Sequence, residues 1–230
     1  MVSGAGDRIV VALDLPSLEE ASVLAGALSE EVGWLKVGLE LFAANGPAAV
    51  EAVREQAPVF LDVKLHDIPT TVQRACERIA SLGVGLVTVH ATGGPAMVAA
   101  AVEGLGEAGR VLAVTVLTSM SDEELAAVNA PPAAEQVPAL ATMAVRAGAP
   151  GLVCAPRDLV AVREAVGPDV LLVTPGVRPA GADADDHARA ATPAAAVRDG
   201  ADLVVIGRPI TRATDPLAAV RAIATELAEA

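Results

Sequence analysis

Two hundred and thirty residues, 53% of them hydrophobic, can bury a large core, and with 1% aromatics and no tyrosine that core must be aliphatic. A net charge of −13 excludes a partner recognised through its phosphate backbone, and the scarcity of aromatics removes base-stacking platforms. An anionic ligand must therefore meet a local cluster of cations inside an acidic protein.

The N-terminus, MVSGAGDR, has no hydrophobic signal core, and Asp, Arg, Gly or Pro interrupts every apolar run before the roughly 18 residues of a membrane span. Cys76 and Cys154 lie far apart and read as buried thiols of a reducing compartment. The expectation is a soluble, cytoplasmic, single-domain protein spanning 1–230.

Short β-branched runs alternate with Ala-rich stretches along the chain. Strands are predicted at 9–14, 34–39, 59–65, 86–91, 111–117, 151–155, 170–174 and 203–207, each nearly continuously apolar, as strands covered on both faces should be. Helices are predicted at 17–29, 46–56, 70–82, 94–108, 136–147, 157–166, 193–199 and 215–228. Ser17, Thr192 before Pro193, and Asp215 before Pro216 have the chemistry of helix starts, and Ser121 or Asp122 opens the connection 119–135 in the same way. Eight such units favour a closed (β/α)8 TIM barrel. An open doubly wound sheet would call for a Gly-rich turn after the first strand, where this chain has LDLPS.

A barrel enzyme does its chemistry at the C-terminal ends of its strands. Asp14, Lys36, Asp62, Lys64, Asp67, His90, Thr118, Arg178 and Arg208 fall there. The densest segment is FLDVKLHDIPTT, 60–71, where Asp62 and Lys64 stand two apart and so share one face of a strand. Charges in an apolar strand are rare unless paired. A structural ion pair would explain two of them; Asp67 and Lys36 beside them favour a functional array.

These residues resemble the orotidine 5′-phosphate decarboxylase family, whose signature is an Asp-x-Lys-x-x-Asp run followed by Ile-Pro-x-Thr. The likeness extends through VALD at 11–14, KVGLELF at 36–42, LDVKLHDIPTT at 61–71, VTVHATGG at 87–94, LTS at 117–119, TPGVR at 174–178 and VIGRPIT at 205–211. It implies conversion of orotidine 5′-phosphate (OMP) to UMP and CO2, the last step of UMP synthesis, without cofactor or metal. Asp14 and Lys36 would bind ribose, Asp62 would face the substrate carboxylate, and Lys64 would protonate C6. Asp67, Ile68 and Thr71 would serve a neighbouring site across a homodimer, and Thr118 would contact the pyrimidine. Arg178, Arg208 and the Gly207 amide would hold phosphate. That placement fits TIM barrels, which commonly bind phosphate in the loops after strands 7 and 8.

One departure stands out. The family shows an Asp-Gln pair after TPGVR, where this chain has Asp186-His187 in a Gly- and acid-rich loop, 178–190, that reads as a lid. His187 is either a phosphate donor or a solvated loop residue. His66 and His90 form no metal-ligand spacing, and His90 either lines the pocket or packs behind it. The nearest rival is an Mg2+-dependent sugar-phosphate aldolase or decarboxylase on the same barrel, such as hexulose-phosphate synthase. A catalytically dead phosphate-binding barrel is the rival from another class.

Overall fold

The computed structural model describes residues 4–179 and 191–230. Its strands are β1 (Ile9–Ala12), β2 (Trp34–Gly38), β3 (Val59–Leu65), β4 (Leu86–His90), β5 (Arg110–Val114), β6 (Gly151–Val153), β7 (Leu171–Pro175) and β8 (Leu203–Ile206). They pair in parallel in sequence order, and β1 pairs with β8, closing a barrel. Around it lie α1 (Leu18–Leu28), α2 (Leu39–Asn45), α3 (Ala48–Glu51), α4 (Pro69–Ala80), α5 (Pro95–Leu105), α6 (Asp122–Ala127) and α7 (Ala133–Arg146). The ring continues with α8 (Leu159–Val166), α9 (Pro193–Arg198), α10 (Arg208–Thr211) and α11 (Pro216–Ala228).

Strand alternation divides the core in two. Val10, Ala12, Phe60, Leu86, Leu112, Val114, Val173, Leu203 and Val205 fill the barrel, while Ile9, Val11, Leu35, Val37 and their equivalents pack outward against the helices. Both faces are dry, which is why the strands read as unbroken apolar runs. Trp34, the only tryptophan, plugs the N-terminal floor and covers Gly85, where an added Cβ would meet its ring at 2.6 Å. Cys76 and Cys154 are buried free thiols, and burial pushes them up to about 11 and about 12.

Ser17, Thr192 and Asp215 cap α1, α9 and α11 by accepting from Glu20, Ala195 and Ala218 N–H groups. Ser121 caps α6 in a reciprocal box with Glu124.

Several predicted boundaries need correction. The helix expected over 46–56 is only α3, because Gly46 turns the chain with φ 58° and Pro47 restarts it. The motif 39–45 forms α2 directly off β2, and the four-residue α10 follows β8. The strand expected to reach Leu117 ends at Val114, so Thr115 to Thr118 form a rim above the barrel.

Candidate active site

β3 carries the charges, and it is not a regular strand. Leu61 pairs with Val87 and Leu65 pairs with Val89, so Asp62, Val63 and Lys64 all stand opposite Thr88 alone. The surplus is absorbed at Lys64, whose φ of 49° lies in the left-handed region. A non-glycine residue held there costs about 1–3 kcal/mol and persists only where its surroundings impose it. Asp62 and Lys64 do meet, as their spacing predicts. A bulge brings them together, however, not an even pleat.

Lys64 Nζ donates to Asp62 Oδ1 at 2.7 Å. Lys36 Nζ, from β2, lies 3.6 Å from Asp62 Oδ2 and donates to Asp14 Oδ1, past the end of β1, at 3.2 Å. Two ammonium groups thus bracket one carboxylate. Burial pushes the Asp62 carboxyl up, but Lys36, Lys64 and the Thr88 hydroxyl outweigh it and hold it below the usual carboxylate value. Lys36 is nearly buried and the Asp14 carboxylate is half exposed, so the array runs from the barrel interior to solvent.

The array borders a cavity of about 160 Å3 at the C-terminal mouth, floored by Phe60 and lined by Lys36, Asp62, Lys64, Thr118 and Pro175. Hollows of about 660 Å3 beside α7 and about 640 Å3 at the barrel floor are larger. The floor hollow is lined by Asp7, Arg110, Asp169 and Asp202, but it opens at the N-terminal ends of the strands, whereas barrel enzymes carry their chemistry at the C-terminal ends.

Arg178 follows β7 and Arg208 follows β8, so the structure sets both at the mouth on adjacent strands. Gly207 is the N-cap of α10, and a Cβ added to it would meet only the Ala12 Cβ at an ordinary 3.5 Å. Its value is open space above β8. Asp67, Ile68 and Thr71 do not line the cavity, and all three are exposed, Ile68 by 66%. The Asp67 carboxylate accepts from the Ile68 N–H at 2.6 Å and joins no cation among the described residues. His90 packs against His66, ring centres 5.4 Å apart, and does not line the cavity. Burial first, then His66 and Lys64, lower the His90 pKa and favour the neutral ring. His187 lies outside the described residues.

Two residues of the site escaped sequence reasoning. Gly38 stands beside the array, where a Cβ would fall 2.6 Å from Asp14 Oδ1 and 2.8 Å from Lys36 Nζ. Its position two residues after Lys36, on the same strand face, was the available signal. Thr88 bonds both Asp62 and Lys64, yet in VTVH it reads only as a good strand former.

A closed parallel barrel with a lysine–carboxylate array in its C-terminal mouth defines the class: a TIM-barrel enzyme. The chain belongs to the Orotidine 5′-phosphate decarboxylase / HUMPS family, which it matches over residues 7–223. It is 59% identical to orotidine 5′-phosphate decarboxylase of Anaeromyxobacter sp. (strain K), covering 96% of this chain and 98% of that one. It is 56% identical to the Thermobifida fusca enzyme of the same name over 95% of each chain. Among solved structures, orotidine 5′-phosphate decarboxylase from Lactobacillus acidophilus superposes with a TM-score of 0.84 at 39% identity, covering 96% of this chain and 98% of that one. No helix among the described residues is long and apolar enough to cross a membrane.

Proposed function

We propose that this chain decarboxylates OMP to UMP in a cytoplasmic pyrimidine pathway, and that Lys64 delivers the proton to C6. The observation that carries the reading is the Lys36–Asp62–Lys64 array against the mouth cavity, with the Lys64 ammonium 2.7 Å from Asp62. The C6–carboxylate bond breaks heterolytically, CO2 departs, and the electron pair stays at C6. Lys64 places a fixed positive charge where that pair develops and then transfers a proton to it, leaving a neutral amine that solvent recharges. The Asp62 carboxylate holds the ammonium in place beforehand through their 2.7 Å contact. Asp62 faces the substrate carboxylate, a like-charge contact relieved as CO2 leaves.

Asp14 and Lys36 take the ribose hydroxyls, and Thr118 takes the pyrimidine. Arg178, Arg208 and the Gly207 amide take the phosphate, with His187 as a further donor. Each guanidinium offers a fork of donors matched to phosphate oxygens. Remote phosphate binding then stabilises the working geometry without reacting.

Asp67, Ile68 and Thr71 belong in this reading to the neighbouring site of a homodimer. Their exposure, and the lack of a cation partner for Asp67 among the described residues, support it. The Mg2+-dependent reading is disfavoured because two ammonium groups already engage the Asp62 oxygens a cation would need.

A UV assay of OMP loss tests the reaction, with turnover retained in excess EDTA as the expected outcome; a strict Mg2+ requirement would sink it. Lys64→Ala should lower kcat by roughly 10³-fold or more. Intact turnover in that variant would remove Lys64 as proton donor. Mixing Asp67→Ala with Lys64→Ala protein should regenerate some activity through hybrid sites, and none despite verified subunit exchange would refute the shared site.

A further inference from the structure

We propose that Thr88 is the positioning residue that locks Lys64 in its working conformation, through its hydroxyl and not through its shape. The proposal rests on the decarboxylase reading for its kinetic consequence, while its structural part stands alone.

Thr88 is the one β4 residue opposite three residues of β3, and it is fully buried. A hydroxyl has one donor and can accept as well, and both functions are used here. Thr88 Oγ1 accepts the Lys64 backbone N–H at 2.9 Å and donates to Asp62 Oδ1 at 3.0 Å. Asp62 Oδ1 in turn accepts from Lys64 Nζ at 2.7 Å. The three bonds close a ring that starts at the main chain of Lys64 and returns to the tip of the same side chain.

That ring answers what the bulge leaves open. The irregular register takes the Lys64 N–H out of the β3–β4 ladder, and a buried N–H without a partner is strongly disfavoured. Thr88 replaces the missing carbonyl and so makes a left-handed lysine tolerable. The same oxygen orients the carboxylate that aims the ammonium. Backbone conformation and side-chain aim are thereby set by one atom.

Valine keeps the shape of threonine and loses the hydroxyl; serine keeps the hydroxyl and loses a methyl. Thr88→Val should lower kcat by about 10²-fold, the scale of a misplacement near 1 Å, with UMP affinity changed less than about threefold. Rates are taken per UMP-binding site, counted by calorimetry, so that misfolded protein does not enter. Thr88→Ser should stay within about threefold of the parent protein. Should the valine variant not fold, Thr88→Ala takes its place with the same expectation. In a crystal structure of the hydroxyl-free variant, Lys64 should leave the left-handed region and its Nζ should move off Asp62. A valine variant with parental kcat and an unmoved Lys64, or a serine variant as impaired as valine, would overturn the proposal. Failure of the parent protein to turn over OMP would sink the decarboxylase reading alone, because the displacement of Lys64 still decides the role of Thr88.

Discussion

The two ends of this barrel each hold partly buried charge, and they treat it in opposite ways. At the floor, Arg163 of α8 donates to the carbonyls of Gly167, Val170 and Gly200 and to Asp202 Oδ2, all within 2.7–2.9 Å. Asp202 also accepts the Leu172 N–H at 2.8 Å. The guanidinium there stitches α8 and the strands β7 and β8 together, with four of its five donors spent on fixed acceptors. At the mouth, Lys64 has one acceptor among the described residues, Asp62, for an ammonium with three donors. Its backbone is strained where that of Arg163 is an ordinary helix. A charge with most of its hydrogen bonds made to fixed acceptors serves the fold; a charge held under strain with donors to spare is available for chemistry.

The contrast breaks first if Lys64→Ala, with its loss of roughly 10³-fold in kcat, also melts far below the parent protein. The mouth should give up rate and keep stability. Arg163→Ala should do the reverse. Losing a hub of hydrogen bonds and leaving Asp202 without its cation costs about 3 kcal/mol, a drop in Tm on the order of 10 °C by calorimetry. Its kcat well below that melt should match the parent. A stable but inactive Arg163→Ala protein would erase the distinction.

Gly38→Ala sharpens the mouth side. The added Cβ displaces the tips of Asp14 and Lys36, both of which can move, so kcat/KM should fall about tenfold with Tm nearly unchanged. A parental kcat/KM would show that Asp14 and Lys36 tolerate displacement.

A weaker effect follows from the lowered pKa of Asp62. The folded protein binds fewer protons at this site than the unfolded chain, so the stabilisation is complete above the ordinary value of 3.8 and is lost as pH falls through the lower folded value. Thermal melts between pH 5 and 3 should steepen on the acid side less in Asp62→Asn than in the parent. Equal acid sensitivity would mean that other carboxyls dominate. Smallest of all, the Arg221–Glu31 pair lies on the exposed flank, and Arg221→Ala should leave the melt unchanged within error.

Much of this was legible in the chain. β3 ran over 59–65 as its apolar run predicted, and the charge array fell at the strand ends that a barrel reserves for chemistry. What escaped notice depended on partners distant in sequence or on backbone geometry. Arg163 reads as one more helical cation because Gly200 and Asp202 lie 37 and 39 residues away. Thr88 is 24 residues from Lys64, and nothing in DVKL announces a left-handed lysine. α2 was missed because its residues continue the apolar run of β2, and α10 because four residues are too few to show a period.

The solitary Trp34 has a practical consequence. Without tyrosine, the near-ultraviolet emission of this chain comes almost wholly from one indole on the floor of the barrel, at the end opposite the array. Fluorescence therefore watches the floor and should stay dark to a nucleotide entering the mouth. Unfolding followed by emission reports one end, and unfolding followed by lost turnover reports the other. Coincident curves would mark a barrel that melts as a unit; an earlier loss of turnover would show the mouth loosening while the floor still holds.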